Sequence, residues 1–184
     1  PNYKRFDLKR AVIVFSGLWL RGSVKSSHPL LRRTSFYYME KIAVGCDHAG
    51  YALKTDLVGF LEELGYETLD LGTNSHDRVD YPDYGAAVGQ AVTEGKADLG
   101  LLVCGSGIGI GMAANKISGV RAATVHDVTS AHLAREHNNA NIICFGERLI
   151  GPEIARESLV AFLNAEFQGG RHAERIQKIS ELES

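Results

Sequence analysis

One stretch of this chain leaves little freedom for the rest. Residues 99–116 read LGLLVCGSGIGIGMAANK. An apolar run ends at Cys104, glycines follow at 105, 107, 109 and 111, and a small-residue helical pattern closes the stretch. That order predicts a buried strand, a tight turn and the first turn of a helix. Glycine lets the backbone take positive φ and lets a ligand approach the main chain closely. The N–H groups at the helix start then favour an anion. Cys104 stands at the mouth of this nest, where a thiol can act as base or nucleophile. A cysteine that ends an apolar strand is more often a small buried hydrophobe; the glycines that follow it favour the functional reading. The run is not a dinucleotide fingerprint, because that register needs glycine where Ile110 or Met112 stands, and no Gly-Lys-Ser/Thr follows to make a Walker loop.

The same alternation runs through the chain. Strand-like runs at 41–46, 67–71, 99–103, 120–125 and 141–145 alternate with helical patterns at 51–64, 84–94, 109–116, 128–137, 152–164 and 173–182. A polar loop occupies 72–83. This order predicts an α/β fold: a Rossmann-like, five-stranded parallel sheet inside a three-layer αβα sandwich, joined by right-handed crossovers. Such sheets bind ligands outside the carboxyl ends of their strands. Those ends hold Asp47 and His48, the loop with Tyr81, Cys104, His126 and Asp127, and residues 146–148. The candidate chemistry therefore gathers on one rim.

The 184 residues suit one domain with a full core, and 45% apolar with 23% charged residues is ordinary for a globular protein. A net charge of −2 gives no case for nucleic acid. The charge is uneven, however. Residues 1–38 carry Lys4, Arg5, Lys9, Arg10, Arg21, Lys25, Arg32 and Arg33 against Asp7 alone, so the remainder is acidic. The apolar run at 11–20 is too short to span a bilayer. This leader reads first as an upstream translation or tag remnant ahead of Met39, and second as a targeting segment; the body is 39–184. Three cysteines in apolar runs argue against a disulfide framework and suit a reducing, cytoplasmic compartment, or an organelle if the leader is genuine. No pair has zinc-ligand spacing.

Other residues carry two readings each. Asp47 could cap the helix after strand one or face the site with His48. His137 could close a helix C-terminus or act as an acid, since its ordinary pKa lies near neutrality. Arg171 and Arg175 lie four apart on one helix face, which is mildly unfavourable unless an anion joins them. Asp127 reads as a helix N-cap, and its neighbour His126 makes only a weak metal pair.

Assembled, these residues make the body resemble the ribose-5-phosphate isomerase B family, which also includes the galactose-6-phosphate isomerase subunits. The resemblance rests on GCDHAG at 45–50, DYPDY at 80–84, CGSGIG at 104–109, AANK at 113–116, REHNNAN at 135–141, FGERLIG at 145–151 and GGRHAER at 169–175. It implies an aldose–ketose isomerase acting on a sugar phosphate through an enediolate, without metal or other cofactor. By that match Cys104 is the base, His137 the ring-opening acid, and Ser106 and Asp47 assist. The N–H groups of Gly105, Ser106, Gly107, Ile108 and Gly109 would form an oxyanion hole. Asp47, His48, Tyr81 and Asn138 match sugar-binding positions; Arg148, Arg171, His172 and Arg175 match anion-binding ones. Ser106 stands where the family often has Thr, and the hydroxyl is kept. Some members use Glu in place of the cysteine; this chain has the cysteine. The resemblance also implies a homodimer, with tetramers as an extension, in which the C-terminal Arg/His group reaches a neighbouring subunit's site. Neither nucleic acid nor membrane is an expected partner. The rival readings are a hexose-6-phosphate isomerase, a non-catalytic sugar-phosphate-binding domain, and a thiol-transfer protein, which would need a resolving cysteine near Cys104.

Overall fold

The computed structural model describes residues 40–183. The expectations for the leader and for Met39 as a start fall outside the described residues. The elements are β1 (Lys41–Cys46), α1 (Tyr51–Glu63), β2 (Glu67–Asp70), α2 (Tyr81–Thr93), β3 (Leu99–Cys104), α3 (Ile108–Ala114), β4 (Ala122–Thr124), α4 (Val128–Asn138), β5 (Ile142–Gly146), α5 (Pro152–Asn164) and α6 (Arg171–Ser180), followed by a 3-10 turn, Glu181–Glu183. All strand pairs are parallel, in the order β2-β1-β3-β5-β4. Successive crossovers leave β1 in opposite directions, so the switch point lies between β1 and β3.

Strand residues alternate between two cores, as period-two geometry requires. Ile42, Val44, Leu101, Val103, Ile143 and Phe145 face α1, α4 and α5, meeting Leu57, Leu61, Ala131, Leu159 and Phe162. Ala43, Leu102, Cys104, Ile142 and Cys144 face α2 and α3, meeting Val88, Ala91, Ile110 and Ala114. The result is the three-layer sandwich. The second face is thin because its packing residues are small. A Cβ on Gly45 or Gly100 would lie 2.8 Å from a methyl of Val88, so α2 seats directly on the sheet.

The structure departs most from the sequence expectation at three places. Helix α2 begins at Tyr81, not 84: Asp80 is extended and Pro82 already has the φ of a first helical turn. Tyr81 is therefore a helical residue rather than part of the loop. Helix α6 begins at Arg171, not 173, because Gly170 turns the chain with φ 54°. Strand β4 is three residues long rather than six. Its outer edge is closed by a side chain: Asn115 donates to the Ala122 carbonyl at 2.9 Å and accepts the Ala122 N–H at 2.8 Å. On the inner side, toward β5, Asn141 accepts from the Arg121 N–H at 2.7 Å and donates to the Gly119 carbonyl at 2.8 Å. Asp127 caps α4 as expected, accepting from the Ser130 N–H at 2.8 Å.

Candidate active site

The switch point opens into a cavity of about 540 Å³ at the carboxyl ends of β1 and β3. Asp47, His48, Tyr81, Cys104, Gly105, Ser106, Ile108, Gly109 and Arg148 line it, with Ala49 and Leu149. The last two escaped sequence reasoning. Leu149 stands one residue past Arg148 in the same loop, so its position was available, but an apolar side chain gave no chemical signal.

The thiol loop owes its shape to the main chain. Gly107 adopts φ 75°, a left-handed conformation, and a Cβ there would lie 2.8 Å from the carbonyl carbon of Phe145. Glycine is thus required on both counts. The turn aims the Gly107 N–H at Cys104 Sγ, 3.1 Å away, and the Ile108 N–H at Ser106 Oγ, 3.3 Å away. Gly107 does not line the cavity; its donor serves the sulfur. Behind the loop, Thr124 Oγ1 donates to the Gly107 carbonyl at 3.0 Å. The loop after β5 closes over it. Glu147 N–H donates to the Cys104 carbonyl at 3.0 Å and Arg148 N–H to that of Gly105 at 3.1 Å. The Arg148 guanidinium lies across Gly105, whose Cβ would sit 3.3 Å from it.

Across the switch point, Asp47 is buried, and its carboxylate accepts from the Ala49 N–H at 2.9 Å. It does not cap α1. That task falls to Glu147, whose carboxylate accepts from the Leu53 N–H at 2.9 Å. His48 Nδ1 accepts from the Val79 N–H at 3.3 Å, which leaves Nε2 as the ring's donor nitrogen. The loop carrying Val79 is anchored at its start by Asp70, which accepts from the Gly72 N–H at 2.9 Å and from buried Lys54 Nζ at 2.6 Å. Tyr81 lies over Gly109, where a Cβ would be 2.7 Å from its ring.

The other cysteines are unsuited to the chemistry. Burial pushes the Cys46 thiol up to about 12, and it donates to the Thr73 carbonyl at 3.8 Å. Burial pushes Cys144 well above its ordinary value, with Cys104 adding to the effect. All three are free. Cys46 faces the opposite core from Cys104. Cys144 is in register with Leu102, whereas Cys104 is in register with Gly146. That offset sets the Cα atoms of Cys104 and Cys144 roughly 8 Å apart, beyond the ~7 Å reach of a disulfide. A thiol-transfer role therefore lacks its resolving cysteine among the described residues.

The remaining candidate residues lie elsewhere in the chain. His137 and Asn138 end α4, three residues before β5 begins, so they stand at the amino edge of the sheet. The His137 ring stacks on that of His172, with centroids 4.3 Å apart and planes at 10°. His172 is buried, and that burial, with His137, Arg171 and Arg175 beside it, holds its pKa below the usual histidine value. Arg171 and Arg175 are exposed on the first two turns of α6. Asn138 lines a separate groove of about 680 Å³ beside β4, with Arg121, Leu133 and Ile179. Crossing five residues of β5 takes roughly 16 Å, far beyond the ~3 Å of a proton transfer. Cys104 and His137 of one chain do not share a site.

No group of three His, Cys, Asp or Glu side chains suited to a metal occurs among the described residues. No helix among them is long and apolar enough to cross a membrane.

The fold and the cradle define an α/β enzyme with a small-molecule site at its topological switch point. The family model described as Ribose/Galactose Isomerase matches residues 42–179, and the chain belongs to that family of isomerases. It is 46% identical over 145 residues to ribose-5-phosphate isomerase B of Escherichia coli strain K12, covering 79% of this chain and 97% of that one. It is 41% identical over 146 residues to D-erythrulose-4-phosphate isomerase of Pectobacterium atrosepticum, covering 79% and 96%. The structure of Clostridium thermocellum ribose-5-phosphate isomerase B superposes with a TM-score of 0.77 at 49% identity, covering 78% of this chain and 97% of that one.

Proposed function

We propose that this isomerase interconverts ribose 5-phosphate and ribulose 5-phosphate. The observation that carries the reading is the Cys104 thiol held in a glycine nest, with the Gly107 N–H aimed at its sulfur. Cys104 takes the proton from C2 of the open-chain aldose and returns it to C1, while the hydroxyl proton passes from O2 to O1 and the carbonyl moves from C1 to C2. The negative charge passes to an enediolate oxygen. The donors of Gly107 and Ile108 are engaged within the loop, so that oxygen draws on the N–H groups of Gly105, Ser106 and Gly109, with the Ser106 hydroxyl and Arg148 beside it. Asp47 and the Nε2–H of His48 hold sugar hydroxyls, and Tyr81 forms the wall. Protein groups supply every proton transfer, so turnover on ribose 5-phosphate is expected to survive EDTA.

The site is completed by a second copy of the chain. His137 opens the furanose ring, Asn138 holds the sugar, and Arg171, His172 and Arg175 hold the phosphate, all from the partner copy. The separation of base and acid within one chain supports this directly. Mixing the inactive variants Cys104→Ser and His137→Asn tests it. Random re-pairing into symmetric dimers rebuilds one intact site in each hybrid, or about a quarter of the wild-type sites. Recovery to that level is expected; no recovery would place both groups in one chain's site and overturn the shared arrangement. The similarity to an erythrulose-4-phosphate isomerase makes a tetrose phosphate the second substrate to assay.

A further inference from the structure

One residue beside the proposed acid has no part in this chemistry, yet it gathers four contacts. Glu136 Oε2 lies 2.8 Å from His132 Nε2 and 3.9 Å from His137 Nε2. Its Oε1 accepts from the side-chain amide of Gln168. Its carbonyl accepts from the Gln168 main-chain N–H at 3.0 Å. Gln168 thus fastens the connection between α5 and α6 to the end of α4 twice, once by main chain and once by side chain.

That connection needs fastening. Gly169 and Gly170 follow at once with φ of 64° and 54°, and glycines in that region leave the start of α6 free to turn. Within α6, His172 alone is buried. The far end of the segment is tied by Glu183, which accepts from Ser118 Oγ at 2.8 Å and the Gly119 N–H at 2.9 Å. The near end, which carries Arg171, His172 and Arg175, is tied by Gln168 and by the stack of His172 on His137.

We infer that Glu136 and Gln168 are positioning residues: their clasp sets the start of α6 so that Arg171, His172 and Arg175 meet the substrate phosphate while His137, stacked on His172, meets the ring. This rests on the isomerase reading of those residues. The pair works because one partner is an anionic acceptor and the other an amide donor, and a bond to a charged acceptor is the stronger kind. Gln168→Glu sets two carboxylates against each other. The double variant Glu136→Gln/Gln168→Glu rebuilds the same pair with its sense reversed.

The experiment measures KM and kcat for ribose 5-phosphate, and the Kd of inorganic phosphate by calorimetry, in the full chain carrying each change. Gln168→Glu is expected to raise KM and the phosphate Kd together by about fivefold, with kcat changing less. The reversed pair is expected to return both to within about twofold. Unchanged KM and Kd in Gln168→Glu would overturn the clasp. A loss that the reversed pair fails to repair would overturn it too, since general damage to the fold is not undone by swapping the pair. If the unsubstituted protein does not turn over ribose 5-phosphate, the isomerase reading falls, and the phosphate Kd series still decides the clasp by the same rescue.

Discussion

At the carboxyl edge of the sheet, Cys104 sits on a loop shaped by main-chain bonds and by Gly107, whose φ and close approach to Phe145 require glycine. At the amino edge, His137 sits in the last turn of a helix and is held by side chains: His172 above it and Glu136 beside it. The first region folds into its working geometry with its own strands. The second is more exposed, and its geometry depends on a connection that glycines leave loose. Substitutions of the backbone-held glycine in the first should therefore cost stability, and substitutions in the second should damage chemistry with little cost to the fold.

The largest expected effect separates chemistry from folding within the first region. Cys104→Ser should lower kcat by about a thousandfold, within the range for losing a positioned base, while the circular dichroism spectrum stays unchanged. Wild-type turnover would remove Cys104 as the base. Gly107→Ala should cost about 2–3 kcal/mol of stability in urea unfolding, because its Cβ meets the Phe145 carbonyl and its φ is positive. Gly105→Ala should cost under about 1 kcal/mol, since its Cβ meets only the movable end of Arg148. Equal costs would mean that the loop is not held by its backbone.

In the second region His137→Asn should lower kcat about a hundredfold or more on the cyclic sugar with an unchanged unfolding midpoint. A large drop in that midpoint would erase the contrast between the two edges. A smaller effect tests His172. Its folded pKa lies below the ordinary value of about 6.5, so between the two values the unfolded chain binds more protons. Stability then rises with pH through that window and is lost as pH falls below about 6.5. The melting temperature should drop between pH 7.5 and 5.5, and His172→Gln should lessen the drop. The smallest change is Thr124→Val, which removes the donor behind Gly107. A fall in kcat of about threefold is expected, with Thr124→Ser restoring it.

Much of the first region was legible in the sequence, because strand–turn–helix patterning and the carboxyl-edge rule both act over short spans. Cys104, the glycines, Asp47 and His48 follow strand ends directly. The helical start at Tyr81 was blurred by a polar run that reads as loop until Pro82 is read as a first-turn residue. The second region resisted for a different reason. The motif at 135–141 looks like one functional unit, but the helix and its end distribute it. Arg135 bonds Asn139 Oδ1 at 2.7 Å and the Ala140 carbonyl at 3.1 Å. Asn139 turns the chain with φ 44°, and Asn141 fastens β4. Glu147 capping α1 across 94 positions left no local trace, since capping patterns are read within a few residues.

The outer edge of β4 has a consequence of its own. An open last strand is a template on which another chain can add its own strand, and an α/β sheet ending in a three-residue strand would offer one. Here Asn115 uses both ends of a single amide to occupy the donor and acceptor of Ala122. The sheet terminates on a side chain. A strand added along this edge would meet the Asn115 amide at Ala122 instead of a free donor and acceptor.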